Sequence, residues 1–441
     1  MHARERIYEA AVRGARPLLG IAAPFHAKLG RGVRGRRGAV AGLEAWAAEA
    51  RDPSRPLVWV HAPSVGEGLM AQAIVAALRT RRPDAQLAFT FFSPSAERLA
   101  ARVGADVSGY LPWDVRPDVR RALDALRPDV IAFVRTEIWP VLAREAVGRG
   151  ARLALVNAVL GAGSSRLRAG SRYLLGPAYA RLDAVGAVAA PDAARFARLG
   201  VCADRVRVTG DARFDQVWSR VERLREAGVR DRHLLLARLA DAAVTTVVAG
   251  STWPADDARL VPAFARARRS APFRLIAAPH EPDAAHLAAL ERALDAAGLR
   301  HARLAAVEHG GEPLPEVVVV DRVGVLADLY AIADVAYVGG GFGRAGLHSV
   351  VEPAALGVPV LFGPRHGNAR EADALAWAGG GSVIRGAREL EEALTRLARE
   401  PARRAEAGRA AAEFVRAGLG GAAANAELIA ALLEGAPVPS G

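Results

Sequence analysis

Apolar and polar positions alternate along most of the chain in a pattern of short strands and longer helices. The first series of apolar runs predicts strands at 56–60, 86–92, 129–134, 152–158, 183–188 and 205–210. A second series predicts strands at 245–250, 273–279, 316–321, 334–340, 359–363 and 381–384. Strands that alternate with helices predict parallel sheets covered on both faces, so we expect an α/β protein.

Chain length divides these series into domains. A chain of 441 residues exceeds what one hydrophobic core usually supports, and its 51% hydrophobic residues suffice to fill two cores. We assign 39–215 to a first Rossmann-like domain and 216–240, an arginine-rich helical stretch, to a linker. Residues 241–441 form a second Rossmann-like domain with C-terminal helices. The ligand site is expected in the cleft between the carboxyl-terminal edges of the two sheets.

The N-terminal segment, 1–38, joins moderately apolar residues to a basic cluster. Its uncharged run, 17–25, is far shorter than the roughly 20 residues that a spanning helix needs. Apolar residues beside cations predict interfacial binding to an anionic membrane surface. The alternative is a helix packed on the protein body and followed by a solvated basic loop. The cations concerned are Lys28, Arg31, Arg34, Arg36 and Arg37.

Composition narrows the function classes. The net charge is +12, and the cations are mostly arginines spread through helices beside alanine, a bias that genome composition also explains. Charge alone permits nucleic-acid binding, but no zinc-finger spacing, ribonucleoprotein motif or segregated basic domain is present, so we expect no nucleic-acid partner. The single cysteine, Cys202, excludes an internal disulfide and a Cys-cluster metal site.

A glycine-rich turn within 337–368 carries the strongest ligand signal. Gly339, Gly340 and Gly341 follow a buried strand and allow close approach of a ligand to the backbone. Ser349 is placed to cap a helix that carries Glu352 in its first turn. A strand, a glycine turn and a helix N-terminus together favour an anionic ligand.

Polar residues follow several strands of the first series. Glu67 lies at a helix start after the first strand, where it is either a general base for an acceptor hydroxyl or a residue that only caps the helix. Arg135 could bind a phosphate or carboxylate, and Glu137 could orient it. Further candidates at strand ends, which could equally form surface ion pairs, are Asn157, Ser164, Ser165, Arg166, Asp211, Arg213 and Asp215.

The second series offers contacts for a nucleotide. Ser251, Thr252 and His280 follow strands and could contact a phosphate or a base. No Asp-X-Asp motif is present, and His61, His280, His348 and His366 lack tight ligand spacing, so we predict no metal site.

Ordered motifs across most of the chain resemble the 3-deoxy-D-manno-octulosonic acid (Kdo) transferase family. They are GRRG near Arg36, HAPSVGEG, YLPWD, RTEIWP, LVNA, VTGDARFD, AGST and the 337–368 block, which includes GPRHGN. The resemblance implies the GT-B glycosyltransferase architecture of two Rossmann-like domains.

The resemblance also implies roles for individual residues. Glu67 matches the family's catalytic base, and Arg213 stands where many members carry a lysine that stabilises the transition state. Arg135 stands where many members have glutamate, and Ser349 replaces a common asparagine. Donor-binding positions, taken with the candidates above, are Ser251, Thr252, Pro279, His280, Val323, Gly324, Val325, His348, Ser349, Val350, Val351, Glu352 and Asn368.

The implied reaction transfers Kdo from CMP-Kdo to a phosphorylated lipid A precursor, with inversion and without a metal or a cofactor. It places the protein at the cytoplasmic face of the inner membrane, bound peripherally or by its N-terminus, in lipopolysaccharide biosynthesis. The alternatives are another GT-B nucleotide-sugar transferase or epimerase, and a non-enzymatic basic binding protein.

Overall fold

Two units of the chain each contain a parallel sheet. The structure, a computed structural model, describes residues 3–226, 239, 243–310 and 314–435. One unit comprises Met1–Gln216 and Gly418–Gly441, and the other comprises Val217–Ala417.

In the first unit, buried apolar runs form the strands of the sheet. The strands are β1 Leu57–Ala62, β2 Gln86–Phe91, β3 Val107–Tyr110, β4 Val130–Val134, β5 Arg152–Ala158, β6 Ala184–Ala187 and β7 Val206–Val208. All pair in parallel, in the order β3-β2-β1-β4-β5-β6-β7. The helices up to the unit boundary are α1 Ala3–Ala22, α2 Ala27–Arg37, α3 Ala39–Ala50, α4 Val65–Arg81, α5 Glu97–Ala100, α6 Arg116–Leu126, α7 Pro140–Val147, α8 Ala169–Tyr179, α9 Ala190–Phe196 and α10 Ala212–Glu226.

The second unit repeats this plan. Its strands are β8 Thr245–Thr252, β9 Phe273–Pro279, β10 His301–Arg303, β11 Val317–Val319, β12 Val335–Val338, β13 Val360–Phe362 and β14 Gly381–Val383. They pair in parallel in the order β10-β11-β9-β8-β12-β13-β14. The later helices are α11 Pro254–Ala267, α12 Ala284–Ala296, α13 Leu304–Glu308, α14 Leu326–Leu329, α15 Val351–Ala355, α16 Arg370–Trp377, α17 Ala387–Arg399, α18 Pro401–Ala417 and α19 Gly421–Leu433.

Both faces of each sheet are covered. In β1, Val58 and Val60 belong to one apolar cluster, while Leu57 and Trp59 belong to the cluster on the other face. Successive side chains of a strand point to opposite faces, so a strand buried on both sides is apolar throughout. This is why the sequence pattern located most strands.

Two edge strands, β3 and β10, were not predicted from the sequence. Their residues, VSGY and HAR, are mostly half-buried or exposed. An edge strand contacts neighbours on fewer sides, so its sequence carries a weaker apolar signal.

The C-terminal helix α19 corrects the predicted domain boundary. Instead of staying with 241–441, it packs on α4 and β5 of the first unit. Its apolar residues Leu428, Ile429 and Leu432 join the cluster that contains Val58 and Val60. The predicted linker begins inside α10, and its residues 227–238 and 240 lie outside the described residues.

The N-terminal segment is helical, and its basic cluster lies in α2 rather than in a loop. The inner side of α1 contributes Val12 and Leu19 to an apolar cluster around Trp113. Arg36 is buried, lies 3.7 Å from the ring centroid of Phe92 and donates to the carbonyls of Gly32 and Phe92. Burial lowers the pKa of Arg36 to about 10, which leaves its charge intact at neutral pH. Lys28, Arg31, Arg34 and Arg37 are exposed.

Candidate active site

Strained turns mark the carboxyl edge of the first sheet. Arg135 follows β4 with φ 81°, and Asn157, near the end of β5, has φ 50°. Non-glycine residues rarely adopt this left-handed region, and such strain persists only where the surroundings hold it.

Glu67 lies in the first turn of α4, directly after β1. Ser64 is the N-cap residue of this helix, and its hydroxyl donates to the Glu67 carboxylate. Glu67 is half-buried, and within the described residues no cation forms an ion pair with it. Glu5, Glu9 and Glu145 of the same unit all pair with arginines. The carboxylate of Glu67 is therefore available as a proton acceptor.

A second carboxylate, Glu137, is electrostatically coupled to Glu67. Burial raises the pKa of Glu137, the positive charge of Arg166 opposes this, and the charge of Glu67 raises the pKa further. The Arg166 guanidinium lies 3.5 Å from the Glu137 carboxylate. Glu67 and Glu137 follow the neighbouring parallel strands β1 and β4, so the two acidic groups share one edge of the sheet.

Arg213 and Arg135 both act electrostatically on one acidic residue, Asp211. The Arg213 guanidinium donates to Asp211 at 2.8 and 3.1 Å. Burial alone would raise the pKa of Asp211, but the charge and hydrogen bonds of Arg213, with the charge of Arg135, hold it below its usual range. Arg135 also donates to the sulfur of Met70 at 3.6 Å. The structure thus brings these predicted residues together.

A buried amide network, which the sequence reasoning missed in part, holds the ends of β5 and β7. Asn157 accepts from the backbone N–H of Ala212 at 2.8 Å, and its own amide N–H donates to Asp211 at 3.4 Å. Asn425 of α19 accepts from the Asn157 backbone at 2.9 Å and from Thr209 at 3.3 Å. Asn425 lies 268 residues from Asn157 in sequence, so no local pattern could indicate this contact.

In the second unit, the glycine-rich turn packs against the end of β8. A Cβ atom on Gly339 would lie 2.3 Å from the Ser251 carbonyl oxygen, and one on Gly340, which has φ 94°, would lie 2.0 Å from the Gly346 oxygen. Buried Asp256 fixes both segments, because it accepts from the backbone N–H groups of Trp253 and Gly340 at 2.9 Å each. Only glycine fits these two positions.

An aromatic cluster lies beside this turn. The ring of Trp253 stacks on His280 with centroids 5.0 Å apart, and His280 lies 4.2 Å from His348. Trp253 donates its indole N–H to Nε2 of His348 at 3.3 Å. Burial, assisted by the nearby His280, lowers the pKa of His348 to about 4, so the ring is neutral at pH 7. The hydroxyl of Thr252 is buried and has no hydrogen-bond partner within the described structure.

The prediction that Ser349 caps the following helix is wrong. Helix α15 has Val350 as its N-cap residue, in a helical conformation and without a side-chain cap. A side-chain cap requires an N-cap residue in an extended conformation, and here that position is occupied by Val350 in a helical conformation. Glu352 lies in the first turn of α15. Burial raises the pKa of its carboxyl group, and the positive charge of Arg220 lowers it by a smaller amount.

The remaining predicted donor residues lie in the same unit, around the ends of its strands. Val323 is 74% exposed, Gly324 has φ 93°, and Val325 precedes α14. Both polar groups of the Asn368 amide bind the backbone of Leu347, at 2.9 Å each. Pro279 ends β9, and Val350 and Val351 are buried. Among the residues that the structure describes, no cluster of His, Cys, Asp or Glu could hold a metal ion.

These two parallel-sheet units define a class of protein. UDP-GlcNAc 2-epimerase from Neisseria meningitidis, solved with bound UDP-GlcNAc, matches this chain with a TM-score of 0.61 and 12% identity. The match covers 86% of this chain and 100% of that chain. The fold is therefore an α/β fold of the GT-B type, shared by nucleotide-sugar epimerases and transferases.

Sequence comparison identifies the family within this class. Residues 33–216 match the family described as 3-deoxy-D-manno-octulosonic-acid transferase (kdotransferase). The 3-deoxy-D-manno-octulosonic acid transferase of Bordetella pertussis is 35% identical over 417 residues, 90% of this chain and 92% of that protein. The Haemophilus influenzae transferase is 26% identical, over 69% of this chain and 70% of its own length. The chain belongs to the Kdo transferase family and is a glycosyltransferase.

Proposed function

We propose that this glycosyltransferase transfers Kdo from CMP-Kdo to a phosphorylated lipid A precursor. Membership of the Kdo transferase family supports the sugar that is transferred. The observation that carries the mechanism is Glu67, a carboxylate at the edge of the first sheet, hydrogen-bonded by Ser64 and without a paired cation in the described structure.

In this mechanism Glu67 takes the proton of an acceptor hydroxyl. The acceptor oxygen forms a bond to the anomeric carbon of Kdo as the bond between that carbon and the CMP phosphate oxygen breaks. A single displacement of this kind inverts the anomeric centre. The electron pair leaves with CMP, and the proton stays on Glu67 until solvent removes it.

Negative charge grows on the leaving phosphate and requires stabilisation. The resemblance gives this task to Arg213, which Asp211 holds in a defined orientation. Arg135, predicted to bind a phosphate or carboxylate, is the second cation. Fixed guanidinium groups and helix N–H groups stabilise such charge without a metal ion.

The second unit would bind the CMP part of the donor. Trp253 stacks on His280 beside the glycine-rich turn, and the ring of His348 lies next to His280 at a tilt. The unpartnered hydroxyl of Thr252 offers a hydrogen bond to a ligand. These features support the predicted donor residues Ser251, Thr252, Pro279 and His280, and those at 348–352.

The acceptor is a lipid, and α1 together with the turn Ala23–Phe25 that follows it offers a surface for its membrane. Ile7, Leu18, Ile21 and Phe25 are exposed by 54, 65, 69 and 80%. Helix α2, which packs on α1, carries the exposed cations. Exposed apolar residues and cations on neighbouring helices favour peripheral binding to the anionic cytoplasmic face of the inner membrane. No helix in the described residues is both long and apolar enough to span a bilayer.

The test is a transfer reaction with defined substrates. The purified protein is incubated with CMP-Kdo generated in place and a tetra-acylated lipid A precursor, and the products are weighed by mass spectrometry. We expect a product heavier by whole Kdo units. Absence of that product, together with calorimetric binding of UDP rather than CMP, would instead favour the epimerase alternative.

A further inference from the structure

A shallow depression in the first unit is lined by three arginines that have no carboxylate partner among the described residues. It has a volume of about 470 Å³ and is lined by Arg4 of α1, Arg172 and Tyr173 of α8, and Arg198. Gly176 and Pro177 contribute backbone and ring surface. Within the described residues, none of the three guanidinium groups has a carboxylate partner.

The carboxylates of the adjoining helix α1 are engaged elsewhere in the unit. Glu5, next to Arg4, is turned inward and pairs with Arg181 at 2.6 Å. Glu9 likewise pairs with Arg13 and Arg116 at 2.8 and 3.5 Å. Both carboxylates of α1 are thus engaged within the unit, and α8 contains no acidic residue.

The side chains around the depression suit a phosphate. Guanidinium groups bind phosphate oxygens through paired N–H donors. Several guanidinium groups close together can bind a phosphodiester or a phosphomonoester. The Arg4 guanidinium carbon lies 5.9 Å from the Tyr173 ring centroid, which helps to orient the arginine. The Tyr173 side chain is 55% exposed and can donate its hydroxyl proton to an anion.

The position of the depression indicates the source of the phosphate. Ile7, which is 54% exposed, follows Arg4 by about one helical turn on α1. Leu18 and Ile21 share the exposed side of this helix. If this side lies at a membrane surface, as proposed above, the three arginines flank the apolar contact at the depth of lipid headgroups.

We propose that Arg4, Arg172, Tyr173 and Arg198 form a binding site for the phosphate group of an anionic membrane lipid. The site anchors the first unit in a defined orientation on the membrane. This inference rests on the proposed membrane association and adds a headgroup site separate from the reacting residues.

The test compares two double variants of the full-length protein on vesicles. Arg172→Ala/Arg198→Ala removes the site, and Arg31→Ala/Arg34→Ala removes two exposed cations from α2 as a matched loss of charge. Each is measured by sedimentation with phosphatidylcholine vesicles that contain either phosphatidylglycerol or oleate, adjusted to equal surface potential.

A phosphate site predicts that the first variant loses roughly tenfold more affinity on phosphatidylglycerol than on oleate, while the second loses the same on both. Diffuse attraction costs about fivefold per cation regardless of the headgroup. Equal losses of the first variant on both lipids would overturn the site. If that variant loses binding of inorganic phosphate while its vesicle binding is unchanged, the site binds a soluble phosphate, and the proposal of a lipid ligand is overturned.

Controls separate failure of this site from failure of the wider proposal. If the wild-type protein does not prefer either anionic vesicle over pure phosphatidylcholine, the membrane association itself is wrong. Transfer to a detergent-dispersed acceptor should be unchanged in the Arg172→Ala/Arg198→Ala variant, which also confirms its folding. Absence of transfer in the wild-type protein would refute the proposed reaction without bearing on the lipid site.

Discussion

At the residue scale, the environment of each ionisable side chain separates candidate chemistry from structural support. Glu67 is hydrogen-bonded by Ser64, whereas Asp211 is buried and bound by Arg213. A carboxylate already held by a guanidinium has its charged form stabilised and is a weaker base. Glu67 therefore suits proton transfer, and Asp211 suits the orientation of a cation.

Replacing Glu67 by glutamine should abolish most transfer. The amide keeps the volume of the side chain but cannot accept the proton, and loss of a general base typically costs about a hundredfold or more in rate. Product formation is measured by mass spectrometry, and CMP binding and thermal unfolding should match the wild type. The exposed Glu49→Gln on α3 serves as the control. Near-normal transfer in the Glu67→Gln variant would refute the base assignment.

His348 should make the protein sensitive to acid. The unfolded chain binds a proton on this histidine near pH 6.5, whereas the folded protein binds it only near pH 4. The unfolded state therefore holds more protons between these values, and the free energy of unfolding falls as the pH is lowered through that window, by roughly 1–3 kcal/mol. Denaturant unfolding from pH 7 to pH 4.5 should show a shallower fall in His348→Gln. Parallel curves for this variant and the wild type would contradict the prediction, and the exposed His26→Gln provides the comparison.

At the element scale, strand ends and helix starts position the candidate residues. Helix α4 begins directly after β1 and places Glu67 in its first turn. Helix α19 returns from the C-terminus and binds the ends of β5 and β7 through Asn425. The last helix of the chain is therefore part of the structure that orients Asn157 and, through Asp211, Arg213.

Replacing Asn425 by alanine should destabilise the first unit. The change leaves the buried N–H of Asn157 without its acceptor and removes a hydrogen bond to Gly421, at a cost of about 2–4 kcal/mol. The free energy of unfolding is measured with denaturant. Glu427→Ala, on the same helix and partly exposed, should change it by less than about 0.5 kcal/mol. Similar values for both variants would show that the amide network contributes little.

At the scale of the whole molecule, one side of the first unit departs from an ordinary protein surface. Large apolar side chains protrude from α1, while its other side packs Val12 and Leu19 into the protein. Scattered exposed apolar residues are common, but several on one helix next to a basic helix are the basis of the membrane contact proposed above.

Replacing both Ile21 and Phe25 by serine should weaken vesicle binding. These side chains are 69 and 80% exposed, and membrane binding would remove their apolar area from water. Because serine buries much less apolar area, we expect the affinity to fall about tenfold or more. Sedimentation with phosphatidylglycerol vesicles measures it. Val147→Ser/Val208→Ser removes exposed apolar residues outside α1 and the turn Ala23–Phe25 and should bind as the wild type does. Equal binding by both variants would exclude the end of α1 and this turn as the membrane contact.

The pattern of apolar residues was enough to predict an α/β protein with parallel sheets and most of its strands, since strands buried on both faces are apolar throughout. The ordered motifs were enough to indicate the family. Local sequence also located Glu67 and the glycine-rich turn, because helix starts and positive φ have strong residue preferences.

Only the tertiary structure assigned α19 to the first unit and placed Asn425 against Asn157. It also brought Arg4, Arg172 and Arg198 into one depression, where no carboxylate of the described residues pairs with them. It also showed Val350 rather than Ser349 at the start of α15. These features depend on contacts between residues far apart in the chain. Periodicity and spacing report local preferences, and they contain no record of which distant side chains meet.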